Sequence, residues 1–323
     1  MKDLDPAALD CLAALVDGGS FERAAQQLSV TQSAISQRLR TLEAQIGQPL
    51  VVRARPLRLT DVGKVLLRYA RQVHALRVDL ARELELDALG NDRLPIAVNA
   101  DSLATWVLPA LDAVVQQGAS LELLVDDQDF THDRLREGAV LGCVSTVREP
   151  LRGCRVTPLG VMRYGAVASP SFVQQHLPEG LNRGHLSQLP FLVFNRKDDM
   201  QQQWVAQAFG VRSPRLRERF VPSSEAYVQA ASRGWGVGVV PLLQVRPLLT
   251  EGRLVQLLPQ CSLPVALFWH QWKLGPDGDA PTARVALLDA VGAALELGAH
   301  EALEQPIRPR RSPASRPKDQ KKS

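Results

Sequence analysis

The third predicted helix of the chain carries a polar face whose residue types bind DNA bases. Its members, at positions i, i+1, i+4, i+5 and i+8, are Gln32, Ser33, Ser36, Gln37 and Arg40. Side chains at this spacing lie together on one side of an α-helix, opposite its apolar residues. Glutamine pairs with adenine, arginine pairs with guanine, and serine bonds to bases or to phosphate oxygens. The face therefore predicts a recognition helix that enters the major groove of duplex DNA.

Basic residues around this helix favour the same interpretation. The whole chain has a net charge of +4, and residues 304–323 alone carry +5, so residues 1–303 are nearly neutral. Within these 303 residues, the segment from Ser20 to Thr60 has a net charge of +4. The further candidates for DNA contact are Ser20, Arg23, Thr31, Arg38, Arg53 and Arg55. Arg53 and Arg55 are expected at the tip of a wing, where they would contact phosphates or the minor groove. A merely solvated surface is the alternative for any single polar face, but three helices with a basic wing favour DNA.

The elements that position this face are predicted from apolar spacing and capping residues. An apolar series with i, i+3, i+4, i+7 spacing begins at Leu9 and predicts a first helix. Ser20 and Thr31 are good N-caps for a second and a third helix. Two short apolar runs follow between residues 50 and 59 and predict a β-hairpin. We therefore expect residues 1–60 to form a winged helix-turn-helix domain.

Residues 61–90 are predicted to form one linker helix with an apolar seam. The seam residues, at alternating spacings of four and three, are Val62, Leu66, Tyr69, Val73, Leu76 and Leu80. This heptad spacing is typical of a two-stranded coiled coil, and it predicts a homodimer. Packing of the seam on the domain of its own chain is the alternative.

From residue 91 onwards, short apolar runs with strand character alternate with amphipathic helices. This alternation predicts parallel sheets with helices on both faces, in a segment long enough for two lobes and a cleft. The expected fold class is α/β, with an N-terminal winged helix-turn-helix, a long linker helix and a two-lobed effector-binding domain. Lobe I would comprise about 91–162 and 267–300, and lobe II about 163–266. Residues 301–323 are rich in proline and arginine and are expected to be disordered.

Several segments resemble the LysR-type transcriptional regulators, and two of them are similar to the ArgP/LysG branch. The family segments are Phe21–Glu43, Gly47–Arg53 and Leu59–Gly63, and the branch segments are Ala97–Trp106 and Ser223–Gln229. The resemblance runs from about Leu9 to about Val291. It implies a periplasmic-binding-protein-like effector domain, a homodimer or homotetramer, and contact with RNA polymerase. It further implies control of basic amino-acid export or metabolism in response to lysine or arginine.

The resemblance also implies an effector site at the carboxyl ends of the strands of lobe I, near helix N-termini. The candidate residues are Asn99, Ser102, Thr105, Trp106, Asp126, Asp127, Ser145, Asp199, Ser224 and Glu225. Ser102 and Thr105 would hold a ligand carboxylate, with simple helix capping by Asp101 or Ser102 as the alternative. Asp126 or Asp127, together with Asp199, would neutralise the cationic end of the ligand, because an unpaired buried charge is unfavourable.

Other classes of function lack support in the sequence. The four cysteines and six histidines have no metal-ligand spacing, and residues 234–238 follow a predicted helix, unlike a dinucleotide loop. We expect no enzyme activity, no metal and no cofactor apart from the effector. No apolar stretch approaches the roughly 20 residues of a membrane-spanning helix, so we expect a cytoplasmic protein without membrane contact. An architectural DNA-binding protein that acts without an effector is the alternative function.

Overall fold

The computed structural model describes residues 4–52, 57–83, 93–126, 131–211, 214–274 and 282–305. The N-terminal elements are α1 (Pro6–Gly18), α2 (Phe21–Gln27), α3 (Gln32–Ile46), β1 (Val51–Val52), β2 (Arg58–Leu59) and α4 (Asp61–Glu83). The first three helices begin where side-chain oxygens of Asp5, Ser20 and Thr31 accept backbone N–H bonds. The two N-caps predicted from the sequence are therefore in place.

The apolar faces of the first three helices meet in one core. We call these three helices and the wing formed by β1 and β2 the head. Leu12, Ile35 and Leu42 are fully buried in it. Gly19 and Gly47 follow α1 and α3 with φ values of +67° and +79°, the left-handed conformation that favours glycine at a helix end. The chain therefore turns sharply after α1 and α3, and the polar face of α3 lies opposite the core.

The linker helix α4 divides the predicted dimerisation seam into two parts. Val62 and Leu66 pack against the core of the head, and Leu66 is only 7% exposed. Tyr69, Leu76 and Leu80 are 40%, 55% and 54% exposed. The first part of the seam thus packs on its own domain, as the alternative interpretation had it, and the second part faces outwards.

The effector-binding half alternates strands and helices. Its strands are β3 (Leu94–Asn99), β4 (Leu121–Asp126), β5 (Gly142–Ser145), β6 (Cys154–Ala168), β7 (Pro190–Val193), β8 (Arg217–Phe220), β9 (Gly238–Pro241), β10 (Val255–Leu257) and β11 (Leu263–Trp272). Its helices are α5 (Ala100–Ser102), α6 (Leu108–Gln116), α7 (Thr131–Arg136), α8 (Pro170–His176), α9 (Met200–Phe209), α10 (Ser224–Ser232), α11 (Leu242–Thr250) and α12 (Ala283–Ala302). A π-helical turn joins α5 to α6. Among the described helices, none is long and apolar enough to cross a membrane.

The main sheet has the strand order β10–β6–β11–β5–β3–β4, and β9 also pairs with β6. β3 pairs in parallel with β4 and β5, and β7 and β8 form a separate parallel pair. β6 and β11 are instead antiparallel to each other along Leu263–Trp272. The expectation of parallel sheets is therefore right for these two groups and wrong for the strands around β6, because β6 and β11 run between the lobes in opposite directions.

These two long strands are irregular where the lobes meet. The register between them shifts between Leu267 and Phe268, opposite Gly160. Gly160 has a φ of +145°, and a Cβ atom there would lie 2.9 Å from the Cβ of Leu303. Only glycine fits this close approach without strain. The irregularity coincides with the lobe border expected near residues 162 and 267.

The end of the described chain is held against β6. After α12, Glu304 exchanges two backbone hydrogen bonds with Val161, at 2.8 and 3.1 Å. Residues 301–305 were expected in a disordered tail, and this part of the prediction is wrong because main-chain pairing fixes them. The remaining tail, residues 306–323, lies outside the described residues.

Candidate nucleic-acid interface and effector cleft

The predicted recognition face is accessible on α3. Gln32, Ser33, Gln37 and Arg40 are exposed, and Ser36 is half-buried. The N-terminal half of the helix thus presents two amides, two hydroxyls and a guanidinium on the side away from the core. These groups can hydrogen-bond base edges and phosphates without any rearrangement of the head.

Three other predicted DNA contacts have structural partners within the head. The hydroxyls of Ser20 and Thr31 accept backbone N–H bonds at 3.2 Å and cap their helices, and the Thr31 hydroxyl also shares a 2.9 Å hydrogen bond with the Ser33 hydroxyl. Arg38 is half-buried, and its guanidinium lies 3.8 Å from the Cys11 sulfur on α1. The structure therefore turns Arg38 towards α1 rather than towards the recognition face. Arg23 is exposed at the start of α2.

The wing is tied to the recognition helix by Glu43, a residue that the sequence analysis did not select. Its Oε1 atom accepts hydrogen bonds from the backbone N–H groups of Leu50, at 2.8 Å, and Val51, at 3.4 Å. A Cβ atom at Gly63 would lie 2.1 Å from the Leu50 oxygen, so α4 also approaches this strand closely. The wing arginines Arg53 and Arg55 lie outside the described residues.

A cavity lies between the lobes at the carboxyl end of β3, and we call it the effector cleft. Its lining residues are Asn99, Ala100, Asp101, Tyr164, Phe194, Asp198, Met200, Ser224, Tyr227, Val239, Val240, Pro241 and Gln244. Two carboxylates, Asp101 and Asp198, are in this set, and no lysine or arginine is among the lining residues that the structure describes. The charged side chains of the described lining are therefore all acidic.

Asp101 joins the two lobes across the effector cleft. Its Oδ2 atom accepts a hydrogen bond from the Tyr164 hydroxyl at 2.8 Å, and its Oδ1 atom accepts one from the Ser224 hydroxyl at 2.6 Å. The Gln244 amide donates to the same Ser224 oxygen at 3.1 Å. Asp101 follows β3 of lobe I, whereas its partners belong to lobe II, so this carboxylate bridges the lobes.

Asp198 is held rigidly by its own segment. One carboxylate oxygen accepts from the Phe194 N–H at 2.8 Å and from the Gln201 amide at 3.0 Å, and the other accepts from the Met200 N–H at 3.1 Å. The neighbouring Tyr227 hydroxyl donates to a backbone oxygen at 2.6 Å. Because burial raises the Tyr227 pKa, this hydroxyl stays protonated and can act as a donor.

Buried polar atoms without partners surround the end of β3. Asn99 is 3% exposed and Ser102 is fully buried. Within the described residues, the Asn99 Oδ1 atom, the Ser102 hydroxyl and the Trp106 indole nitrogen make no hydrogen bond. Buried polar groups are normally paired, so such atoms call for water or a ligand. Only Asn99 of these three lines the cleft itself.

Several predicted effector residues do not reach the cleft. Asp199 is exposed and accepts a 2.7 Å hydrogen bond from Gln203 on the outer side of α9, and Glu225 is exposed on α10. The Thr105 hydroxyl donates to the Asp101 carbonyl at 2.7 Å, and Ser145 is buried with its oxygen bonded to a backbone N–H. These predictions are wrong because a strand end gives the neighbourhood of a site but not the direction of each side chain.

Asp127 and the side chain of Asp126 lie outside the described residues. Of the predicted set, Asn99 and Ser224 line the cavity, and Asp101, which was considered only as a helix cap, is its central carboxylate. The missed residues Tyr164 and Gln244 come from distant strands and helices, so no local pattern marks them.

Two family models match the chain, one on each side of the linker helix. The bacterial regulatory helix-turn-helix protein, lysR family, matches residues 6–64, and the LysR substrate binding domain matches residues 88–278. The chain belongs to the LysR family of bacterial transcriptional regulators. As a LysR-family regulator it binds DNA through its head, and its effector cleft lies in the family's substrate-binding domain.

Individual relatives place this LysR-family regulator close to ArgP and LysG, as the sequence predicted. ArgP from Aeromonas salmonicida is 45% identical over 276 residues, which cover 85% of this chain and 92% of that protein. The crystal structure of ArgP from Mycobacterium tuberculosis is 38% identical with a TM-score of 0.77, covering 94% of this chain and 100% of that one. Full-length LysG from Corynebacterium glutamicum with bound effector Arg is 35% identical with a TM-score of 0.70, covering 93% and 99%.

Proposed function

We propose that this regulator binds a basic amino acid, L-arginine or L-lysine, in the effector cleft. We further propose that this binding changes its affinity for promoter DNA. The observation that carries the proposal is the charge of the cleft. Its described lining has two carboxylates, Asp101 and Asp198, and neither lysine nor arginine. Two carboxylates in the described lining favour a ligand with surplus positive charge.

The charges of a basic amino acid match this lining. Arginine and lysine each carry two cations and one carboxylate, so their two cations can pair with Asp101 and Asp198. A buried cation without a partner is strongly unfavourable, and charge-assisted hydrogen bonds are the stronger kind. A neutral amino acid has one cation for the two carboxylates and so forms one charge-assisted pair fewer.

The ligand's own carboxylate needs donors that are not carboxylates. The side-chain amides of Asn99 and Gln244 are polar groups of the cleft that can supply them, whereas the Tyr227 hydroxyl proton is already donated to the Leu192 carbonyl. These groups carry no charge, so the cleft keeps its preference for a cationic ligand. The proposed ligand contacts are therefore residues of the described lining, not the aspartates Asp126, Asp127 and Asp199 that were predicted from the sequence.

The relatives support the same ligand class. The LysG protein from Corynebacterium glutamicum, 35% identical to this chain, carries arginine as its bound effector. We infer that the target genes serve basic amino-acid export or metabolism and that the regulator contacts RNA polymerase at their promoters. We further propose a homodimer, or a tetramer built from two dimers, that acts on the chromosome in the cytoplasm.

Calorimetry with the full-length chain tests the ligand. We expect L-arginine or L-lysine to bind, and L-citrulline, which has the shape of arginine without its side-chain charge, to bind about 10-fold to 150-fold more weakly. Equal binding of arginine and citrulline would contradict the role of the second carboxylate. DNA binding without heat from any of the three amino acids would favour the effector-independent architectural protein instead.

A further inference from the structure

Three parts of the molecule meet at one arginine of the linker helix. Arg71 on α4 forms an ion pair with Asp17, at the end of α1 in the head. Its Nη1 atom donates a 3.0 Å hydrogen bond to the backbone oxygen of Glu137, just after α7 in lobe I. The Arg71 side chain is only 19% exposed, so this contact is partly shielded from solvent.

Lobe I also rests on the preceding turn of the linker helix. Gly138 has a φ of +68°, and a Cβ atom there would lie 3.1 Å from the Cα of Arg68. The Arg68 guanidinium lies 5.5 Å from the ring centroid of Trp272, at the end of β11. Since residues 68 and 71 lie on one face of α4, lobe I contacts this face with both a turn and a strand end.

The turn after α7 is rigidly joined to the strand that ends at the effector cleft. Leu135 is fully buried, and the Thr131 hydroxyl donates a 2.7 Å hydrogen bond to the Val144 oxygen in β5. β5 is in turn hydrogen-bonded to β3, whose end carries Asp101. A movement of lobe I about the cleft therefore carries the Glu137 carbonyl with it.

The interface between head and lobe I leaves space around this contact. An open cavity there is lined by residues of both units. Part of this lining is apolar, and part is polar or charged, including Asp10, Arg71, His74, Glu122 and Arg134. Polar contacts in such a space can break and re-form, whereas a close-packed apolar interface would lock the two units together. Among the described residues, the bond from Arg71 to the Glu137 carbonyl is thus a directional contact that helps to set the relative position of head and lobe I.

We propose that Arg71 is the positioning residue that couples the effector cleft to the DNA-binding head. Its fork of nitrogens holds Asp17 and the Glu137 carbonyl at once, so a shift of lobe I on ligand binding moves the end of α1 and, with it, the recognition helix. This inference rests on the proposed function, because it needs a ligand that moves lobe I.

The test compares DNA binding by three variants of the full-length chain. All are measured on one DNA duplex, which is first selected from a random pool by its binding to the wild-type protein. The measured quantity is the ratio of the DNA Kd with and without saturating L-arginine or L-lysine. If the wild-type ratio lies in the usual range of about 5 to 150, Arg71→Ala should bring it to about 2 or less. Arg71→Lys offers one ammonium instead of the fork and should give an intermediate ratio.

Arg77→Ala is the matched control. Arg77 also pairs α4 with α1, through Asp10 at 3.4 Å, and no hydrogen bond to lobe I is described for it. It should keep the wild-type ratio, and all three variants should still give heat with the amino acid. An unchanged ratio in a folded Arg71→Ala protein, or an equal loss in Arg77→Ala, would overturn the inference while leaving the proposed function intact. A wild-type protein that binds DNA without any response to either amino acid would overturn both.

Discussion

At the scale of single residues, the Asp101 carboxylate, which we propose as a ligand contact, also joins the two lobes. It accepts hydroxyl bonds from Tyr164 and Ser224, yet an ionised carboxylate has about four lone-pair sites. A ligand cation can therefore pair with Asp101 while both hydroxyls stay bound. Ligand binding would add to the bridge between the lobes instead of breaking it.

Replacing Asp101 should lower the affinity for the effector without unfolding the domain. Asp101→Asn keeps the size of the side chain but removes its charge, so we expect the Kd for arginine or lysine to rise about 10-fold to 150-fold. Asp199→Asn is the control, because Asp199 is exposed outside the cleft. Calorimetry measures both variants, and equal affinities in the two would contradict the assignment of Asp101.

Two buried histidines should make the fold sensitive to acid. Burial, with smaller effects from His270 and Arg136, lowers the pKa of His132 to about 4, and burial also lowers the pKa of His270. Unfolded histidines titrate near 6.5, so below that pH the unfolded chain binds more protons and stability falls. His132 alone should lower the free energy of unfolding by about 2 kcal/mol between pH 7 and pH 5.

Urea unfolding at both pH values measures this loss. His132→Gln should flatten the dependence on pH, whereas His74→Gln, at an exposed position of α4, should leave it unchanged. An identical acid loss in all three proteins would mean that carboxylates, not the His132–His270 pair, determine it.

At the scale of elements, the recognition helix separates DNA reading from folding. Ser33 and Gln37 are exposed on α3 and outside the core, so the double variant Ser33→Ala with Gln37→Ala should weaken binding to the selected duplex by about 10-fold or more. Its melting temperature and oligomeric state should not change. Gln45→Ala, in the last turn of α3, is the control, and footprints of equal strength from both proteins would remove the recognition-helix assignment.

The linker helix gives a second prediction at this scale. Leu76→Asp places a charge on the exposed part of the seam and should produce monomers in sedimentation experiments, because a coiled coil does not bury unpaired charge. Leu66→Asp should instead destabilise the head, since Leu66 is buried in its core. His74→Asp, off the seam, should stay oligomeric. Unchanged sedimentation of Leu76→Asp would move the dimer contact elsewhere.

The elements of the head were predictable because their causes are local. Caps at Ser20 and Thr31 and apolar spacing are short-range features, and they set α2 and α3 correctly. The effector cleft was not predictable in the same way. Tyr164 and Ser224 lie 63 and 123 residues from Asp101 along the chain, so only the tertiary fold brings them together.

At the scale of the whole molecule, the two lobes share one sheet instead of being joined by a simple linker. β6 and β11 run through both lobes, and the shift of register opposite Gly160 is the place where they can bend relative to each other. Movement between lobes is therefore a distortion of paired strands, which limits both its size and its direction.

Gly160→Ala should lower stability by about 1–3 kcal/mol, because it combines a positive φ with a Cβ atom too close to Leu303. Gly180→Ala is the matched control, since Gly180 has a φ of +86° but nothing within 4 Å of an added Cβ. Thermal and urea unfolding compare them. If both variants lose the same stability, the backbone angle alone explains the loss in Gly160→Ala, and close packing at the lobe border does not contribute to it.

The pairing of Glu304 with Val161 fixes where any attached reporter would begin. A fluorophore or fluorescent protein fused after Gln305 would start one residue from the backbone that contacts β6, beside the bend at Gly160. Its emission would then follow bending of the shared strands directly. The position after Gln305 is thus the natural attachment point for an optical sensor of amino-acid binding in this chain.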